Sequence, residues 1–386
     1  MGDFMSKECL KISTRVVHGS KGFDPHTGAV SFPIYQSATF RHPGLNQTTG
    51  YDYSRLQNPT REELENTMAS LEGGSSGFAF SSGMSAVSAV MDLFKTGDHI
   101  IVSDDLYGGT YRLFDCVCKD RGIEFSYTDT SNIKEISSLI KRNTKAIFIE
   151  TPSNPMMKVA DIKAVSGIAK SKNILTIVDN TFLTPYFQRP LELGADIVVH
   201  SGTKYLGGHN DTLAGFVIVK SEDIAERLKL IQKTTGAVLA PFDSWLILRG
   251  IKTLGIRLEK QQQNAIQVVK WLKENKNVEK VYYVGDTEHK DYEISKRQAS
   301  GFGAMISFTV KDAAIIEQIL SKVRIITFAE SLGGVESLIT YPLVQTHSAI
   351  PEEIRNRLGI NERLLRLSIG IEAAEDIIKD LEQAMG

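Results

Sequence analysis

Cysteine is scarce in this chain: three occur in 386 residues, at positions 9, 116 and 118, and no two stand at C-x-x-C spacing. Neither a disulfide framework nor a zinc knuckle is indicated, and no metal site is expected. Long apolar runs are missing too. No stretch approaches the roughly 20 residues of a membrane helix, and the N-terminal "MGDFMSKECLKISTRVVHG" has no apolar signal core. Charge of one sign is not in excess: the formal net charge is −2, so general attraction to nucleic acid or membrane is not expected. Repeats and low-complexity tracts do not occur. With 42% hydrophobic and 23% charged residues, the composition is that of an ordinary globular chain, long enough for two or three cores and expected in the cytoplasm. Cys116 and Cys118, in "YRLFDCVCKD", read as part of a helix packing face.

Between about residues 75 and 220, short apolar runs alternate with helical segments: "HIIVSD", "IEFSYTD", "KAIFIE", "ILTIVDN", "DIVVHS" and "GFVIV". Continuous apolar strands separated by helices predict a mostly parallel sheet covered on both faces, an α/β fold. Functional residues collect beyond the carboxyl ends of such strands, and Asp104, Glu150, Asp179 and Ser201 stand there. Residues 1–60 have little periodicity and read as an irregular arm that wraps another domain or a second subunit. Thr60-Arg61-Glu62-Glu63 has the pattern of a capping box, for a helix ending near Gly73-Gly74. The expected division is an arm over 1–60, an α/β domain over 61–250 and a smaller α+β domain over 251–386. A long helix within "FDSWLILRGIKTLGIRLEKQQQNAIQVVKWLKEN" is expected to lead the last of these.

The chemistry gathers around "ADIVVHSGTKYLGGHND". Lys204 follows the end of an apolar strand and precedes a glycine turn, poor company for a surface lysine. Partial burial lowers an amine's pKa and favours the neutral, nucleophilic form that builds a Schiff base. Asp179 ends an earlier strand and needs a cationic or hydrogen-bonded partner; a helix cap is one reading, a protonated pyridine nitrogen another. Lysine with aspartate is the pairing that pyridoxal phosphate (PLP) demands. "FAFSSGMSAVSAVMDLF" runs from strand to helix with Gly83 and Met84 at the junction, where free N–H groups suit a phosphate, and Ser201 and Thr203 are further donors. Tyr107 after "DDLYGG" reads either as a core tyrosine or as an aromatic stacked on a cofactor ring. Arg366, in "LLRLSIGIE", reads either as half of a structural ion pair or as a bidentate site for a substrate carboxylate.

Taken together, "TGAVSFPIYQSATF", "YSRLQNPTR", "SSGM", "LYGGT", "ETPSNP", "VDNTF", "HSGTKYLGGH", "ESLGGVESL" and "RLSIGIE" resemble the trans-sulfuration (Cys/Met metabolism) PLP enzymes over nearly the whole chain. The resemblance implies PLP fold type I, with a mostly parallel seven-stranded sheet and a smaller C-terminal α+β domain. It also implies a homotetramer built from tight dimers, acting on small amino acids. It makes Lys204 the Schiff-base lysine and proton carrier. Asp179 becomes the partner of the pyridine nitrogen, and Tyr107 the stacking residue that also acts in proton transfer. Gly83, Met84, Ser201 and Thr203 become the phosphate site. Tyr53 and Arg55 are expected at the neighbouring subunit's phosphate. Asn154, Ser331 and Arg366 are expected to position the substrate carboxylate and the ring oxygen.

Within that family, the resemblance points first to cystathionine γ-synthase with O-acetylhomoserine thiolyase activity. That reaction is γ-replacement on an O-acylhomoserine by cysteine or sulfide; a cystathionine γ- or β-lyase is the alternative. Gly109 stands where methionine γ-lyases carry cysteine, which counts against that activity. Asp52 and Glu330, next to Tyr53 and Ser331, suit a substrate with a distal ammonium group; the bland reading makes them solvated residues at the mouth of the site. Two readings from other classes are a fold-type I aminotransferase and a catalytically silent PLP-bearing regulator. The first lacks a place for the "YSR" arm, and the second conflicts with a full set of cofactor residues.

Overall fold

The computed structural model describes residues 10–348 and 350–386; Cys9, and much of the stretch searched for a signal core, lie outside them. Seven apolar runs form one sheet: β1 (Ser76–Phe80), β2 (His99–Ser103), β3 (Glu124–Thr128), β4 (Thr144–Glu150), β5 (Leu175–Asp179), β6 (Ile197–Ser201) and β7 (Gly215–Val219). The order is β1-β7-β6-β5-β4-β2-β3, with β7 antiparallel to both neighbours and the other pairings parallel. Parallel strands return through helices, which cover both faces, so β2 and β7 are buried at every residue. Alternation sends Val102, Phe148, Ile177 and Val199 into one core and Ile101, Ile147 and Val178 into another. The parallel strands β2, β4, β5 and β6 therefore end together on one edge.

A second sheet follows: β8 (Val278–Tyr282), β9 (Met305–Val310), β10 (Thr327–Phe328), β11 (Leu338–Thr340) and β12 (Leu364–Ser368), in the order β10-β11-β12-β9-β8. Its core joins Ile306, Phe308, Leu365 and Leu367 to Ile377 and Leu381 of the closing helix Ala374–Met385. No helix among the described residues is long and apolar enough to cross a membrane.

Four local expectations change. The helix Pro59–Glu72 ends at Gly73 as expected, but Asn58 rather than Thr60 caps it. Asn58 accepts from the Thr60 and Arg61 amides at 3.0 and 3.4 Å, while the Thr60 hydroxyl donates to the Pro33 carbonyl. The arm is not wholly irregular, because Ile12–His18 is a helix that buries Val16. The long linking helix is two helices, Pro241–Ile251 and Leu254–Glu274. The break follows from Gly250, whose carbonyl accepts from the Arg257 guanidinium and the Thr253 hydroxyl. Finally, Phe114–Cys118 is a π-helical turn that buries Cys118 and leaves Cys116 exposed, so only one of the two cysteines packs.

Asn58 also donates to the Tyr35 carbonyl and the Ser54 hydroxyl, both at 2.9 Å, and is fully buried. One side chain thus starts the helix and pins the arm. Asn58→Ala should cost about 2–4 kcal/mol, from a lost cap and an unsatisfied carbonyl. The expected signs are a lower unfolding temperature and faster proteolytic nicking within residues 35–57.

Candidate active site

The strand ends and the loops above them enclose a cavity of about 320 Å³, a size suited to a small ligand. Of the residues singled out above, Gly83, Met84, Tyr107, Asn154, Asp179, Ser201, Thr203, Lys204, Glu330, Ser331 and Arg366 all line it. Tyr53, Arg55 and Asp52 do not. Tyr53 is 45% exposed, Arg55 donates to the Lys233 carbonyl at 2.5 Å, and Asp52 pairs with His42 at 3.4 Å.

Lys204 sits in the turn after β6, and its Nζ donates to Ser331 Oγ at 2.9 Å. Burial, with help from the nearby Arg366 charge, lowers its pKa to about 8. The turn cannot sink away, because the helix Pro241–Ile251 rests on it: any side chain on Gly250 would overlap the Gly207 carbonyl. Arg257 fixes the same turn by donating to the Tyr205 carbonyl at 2.8 Å. Arg366 reaches across from β12. It donates to Asn154 Oδ1 at 2.7 Å and to the Ser331 carbonyl and Thr340 Oγ1 at 3.2 Å each, while its Nε has no partner among the described residues.

Asp179 accepts from the Thr181 amide at 3.0 Å and from its hydroxyl at 2.5 Å, both on Oδ1. Burial raises its pKa despite these bonds. Behind it, on the other face of the sheet, His200 Nε2 lies 2.6 Å from Glu72 Oε1, which also accepts from Asn180 Nδ2 at 3.0 Å. Across the cavity the helix Gly83–Met91 begins, capped by Ser82. A Cβ on Gly83 would lie 2.9 Å from that of Ser201, so glycine is what lets this helix start approach β6. Tyr107 is 40% exposed over the cavity, and its ring fills the space that a Gly109 side chain would occupy.

These features fit PLP. A primary amine whose proton is loosened by burial stands ready for its aldehyde, and a glycine-lined helix start is an anion cradle. A carboxyl disfavoured by burial would regain its charge beside a pyridinium. Glu150, named above only as a strand-end acid, also lines the cavity, as does Ser82 before Gly83, while Thr181 and Thr340 were not singled out as site residues. The Asp-Asn-Thr turn was a usable signal for Thr181, and the serine before Gly83 for the cap. Thr340 left no signal, since only the β11–β12 register brings it opposite Arg366.

The Lys204 shift carries a pH dependence. Between pH about 8 and the ordinary lysine value of 10.5 the unfolded chain binds the extra proton, so stability of the cofactor-free protein rises with pH there. Lys204→Met should therefore stabilise the cofactor-free protein by about 1–3 kcal/mol below pH 8. That gain should fade towards pH 10.5, as followed by chemical unfolding across pH.

Known proteins resemble this chain over nearly its whole length. The family model described as "Cys/Met metabolism PLP-dependent enzyme" matches residues 13–386. The chain is 51% identical over 374 residues to a cystathionine β-lyase of Lactococcus lactis subsp. cremoris (strain MG1363), covering 97% of this chain and 98% of that one. It is 50% identical over 374 residues to a cystathionine γ-synthase/O-acetylhomoserine (thiol)-lyase of Bacillus subtilis (strain 168), covering 97% and 96%. The solved cystathionine γ-lyase of Lactobacillus plantarum, complexed with L-serine, superposes with a TM-score of 0.94 at 45% identity, covering 97% and 98%. A matched family model across the catalytic and C-terminal sheets, with near-full-length relatives, leaves one conclusion: the chain belongs to the Cys/Met metabolism PLP-dependent enzyme family.

Proposed function

We propose that the enzyme carries out γ-replacement on an O-acylhomoserine with cysteine, forming cystathionine, with sulfide as a second thiol. The carrying observation is the meeting, in one cavity, of the Lys204 amine, Asp179, the Arg366–Asn154 pair and the exposed Glu330 at the rim. Lys204, Asp179, Tyr107, Ser201, Thr203 and the amides of Gly83 and Met84 would hold PLP. Bound PLP supplies an electrophilic carbon for amino groups and a sink for the charge left when an α proton departs.

The chain's own side chains do the rest. Arg366, held flat by Asn154, Thr340 and the Ser331 carbonyl, orients the substrate carboxylate. Lys204, partly neutral near pH 8, accepts the α proton at Nζ and redelivers it along the substrate, which lets a γ substituent leave. Ser331 Oγ accepts from Nζ and aims it. Tyr107 closes the face opposite Asp179. Gly109, two residues later, leaves that position without the cysteine of methionine γ-lyases, which argues against that activity.

The domain division proposed is the arm, an α/β unit to about 250 and an α+β unit beyond. The assembly proposed is a dimer of dimers in the cytoplasm. Tyr53, Arg55 and Asp52 lie outside this chain's cavity on an arm pinned at Asn58, and this supports their service to a neighbouring subunit's site. The second reading, a cystathionine γ- or β-lyase, is favoured by the names of the Lactococcus and Lactobacillus relatives.

The deciding experiment incubates the enzyme with O-acetyl- or O-succinylhomoserine plus cysteine or sulfide, and with cystathionine alone, and follows products by mass spectrometry. Cystathionine formed from the esters supports the synthase; thiol, keto acid and ammonia released from cystathionine alone support the lyase. Lys204→Ala should abolish turnover in either case. Mixing Lys204→Ala with Arg55→Ala subunits should restore part of the activity through hybrid dimers; no recovery despite proven exchange would return the arm to its own chain's site.

Glu330→Ala and Asp52→Ala test the distal ammonium. A charge-assisted bond contributes about 1.5–3 kcal/mol, so kcat/KM with cysteine should fall roughly 10- to 150-fold. Sulfide has no ammonium, and its reaction should fall much less. Equal losses with both thiols would show that the two carboxylates do not read that group.

A further inference from the structure

Glu150 has no assigned role, yet it is 7% exposed and lines the cavity. It ends β4 directly opposite Asp179 at the end of β5, and the two belong to the strand faces of Phe148 and Ile177, which share one core. Two carboxyls thus stand side by side at strand ends that line the cavity. Such a pair does not ionise twice in a buried site.

The surroundings decide which member keeps the proton. Asp179 receives two bonds from Thr181 and lies near His200. Glu150 receives one bond, from the Tyr107 amide to Oε2 at 2.9 Å. The charged groups facing it are Asp179 on β5, Asp105 in the turn after β2, and Arg366 on β12. Two of the three are acidic, and Arg366 gives its bonds to Asn154, Ser331 and Thr340 rather than to Glu150. Burial and Asp179 both push the Glu150 carboxyl well above the usual range, in accord with the geometry.

We propose that Glu150 is a positioning residue: a neutral carboxyl that ties the Tyr107 backbone over the cavity and leaves Asp179 to carry the negative charge that would meet the pyridine nitrogen. The proposal rests on the reading in which Tyr107 and Asp179 would both hold PLP. Glu150 fixes the Tyr107 backbone by its acceptor oxygen, and, being neutral, it would spare a bound pyridine a second anion beside Asp179 that would over-stabilise its protonated form.

Glu150→Gln and Glu150→Ala separate these roles from mere packing. Each is compared with wild type by PLP titration of the resolved protein and by the pH midpoint of the visible cofactor band. Glutamine keeps an acceptor for the Tyr107 amide and, against a neutral acid, changes no charge. Its PLP affinity should stay within about threefold of wild type, with an unmoved midpoint. Alanine leaves the amide without its acceptor, and PLP should bind about tenfold more weakly or worse. An ionised Glu150 would instead make glutamine lower the midpoint by about one pH unit. That shift, or an alanine variant that binds PLP as tightly as wild type, overturns the proposal. A wild-type protein with no visible band overturns the Lys204 assignment itself, and the proposal with it.

Discussion

The buried guanidinium of Arg366 is the interaction on which the rest of the site depends. It leaves β12 of the five-stranded sheet and bonds Asn154, which follows β4 of the seven-stranded sheet. It also bonds the Ser331 carbonyl, whose side chain accepts from Lys204. Removing a guanidinium from water is costly, and burial lowers its pKa to about 10. Neutral acceptors offset that cost without neutralising the charge. The remaining positive field helps hold down the pKa of Lys204 and leaves an unneutralised cation facing the cavity.

The same economy recurs around the cavity. Lys204 has a hydroxyl rather than a carboxylate as its partner, Asp179 has donors from one threonine, and Glu150 has one amide. Ion pairs are kept to the periphery: Lys158 with Asp104 at 2.9 Å, Arg363 with Glu279 at 2.7 Å. A site built of unpaired charges is poorly stabilised in isolation, and it gains that stabilisation from whatever brings the opposite charges.

Much of this was legible before any coordinates. Six apolar runs with polar residues at their ends announced a parallel sheet and the edge where chemistry collects, because strand period and burial are written locally. Lys204, Asp179 and Gly83 were legible for the same reason: each sits where a strand stops or a helix starts. What stayed hidden depends on distant partners. Thr60 looked like a cap because its neighbours fit the pattern, but Asn58 reaches the amides first and the Thr60 hydroxyl is claimed by Pro33. The continuous helical pattern around residue 250 gave no hint of a break, which comes from Arg257 and from close backbone contact with the Lys204 turn. Glu150 was visible as a strand-end acid, but its pairing with Asp179 is a matter of register between β4 and β5.

The helix Pro59–Glu72 is held at both ends by buried side chains. At one end Asn58 grips the arm; at the other Glu72 lies against His200 and Asn180, on the reverse side of the strands that carry Asp179 and Lys204. Fourteen residues span about 21 Å. The helix is therefore a strut rather than a tether. It sets a fixed distance between the point where the arm is anchored and the back of β6.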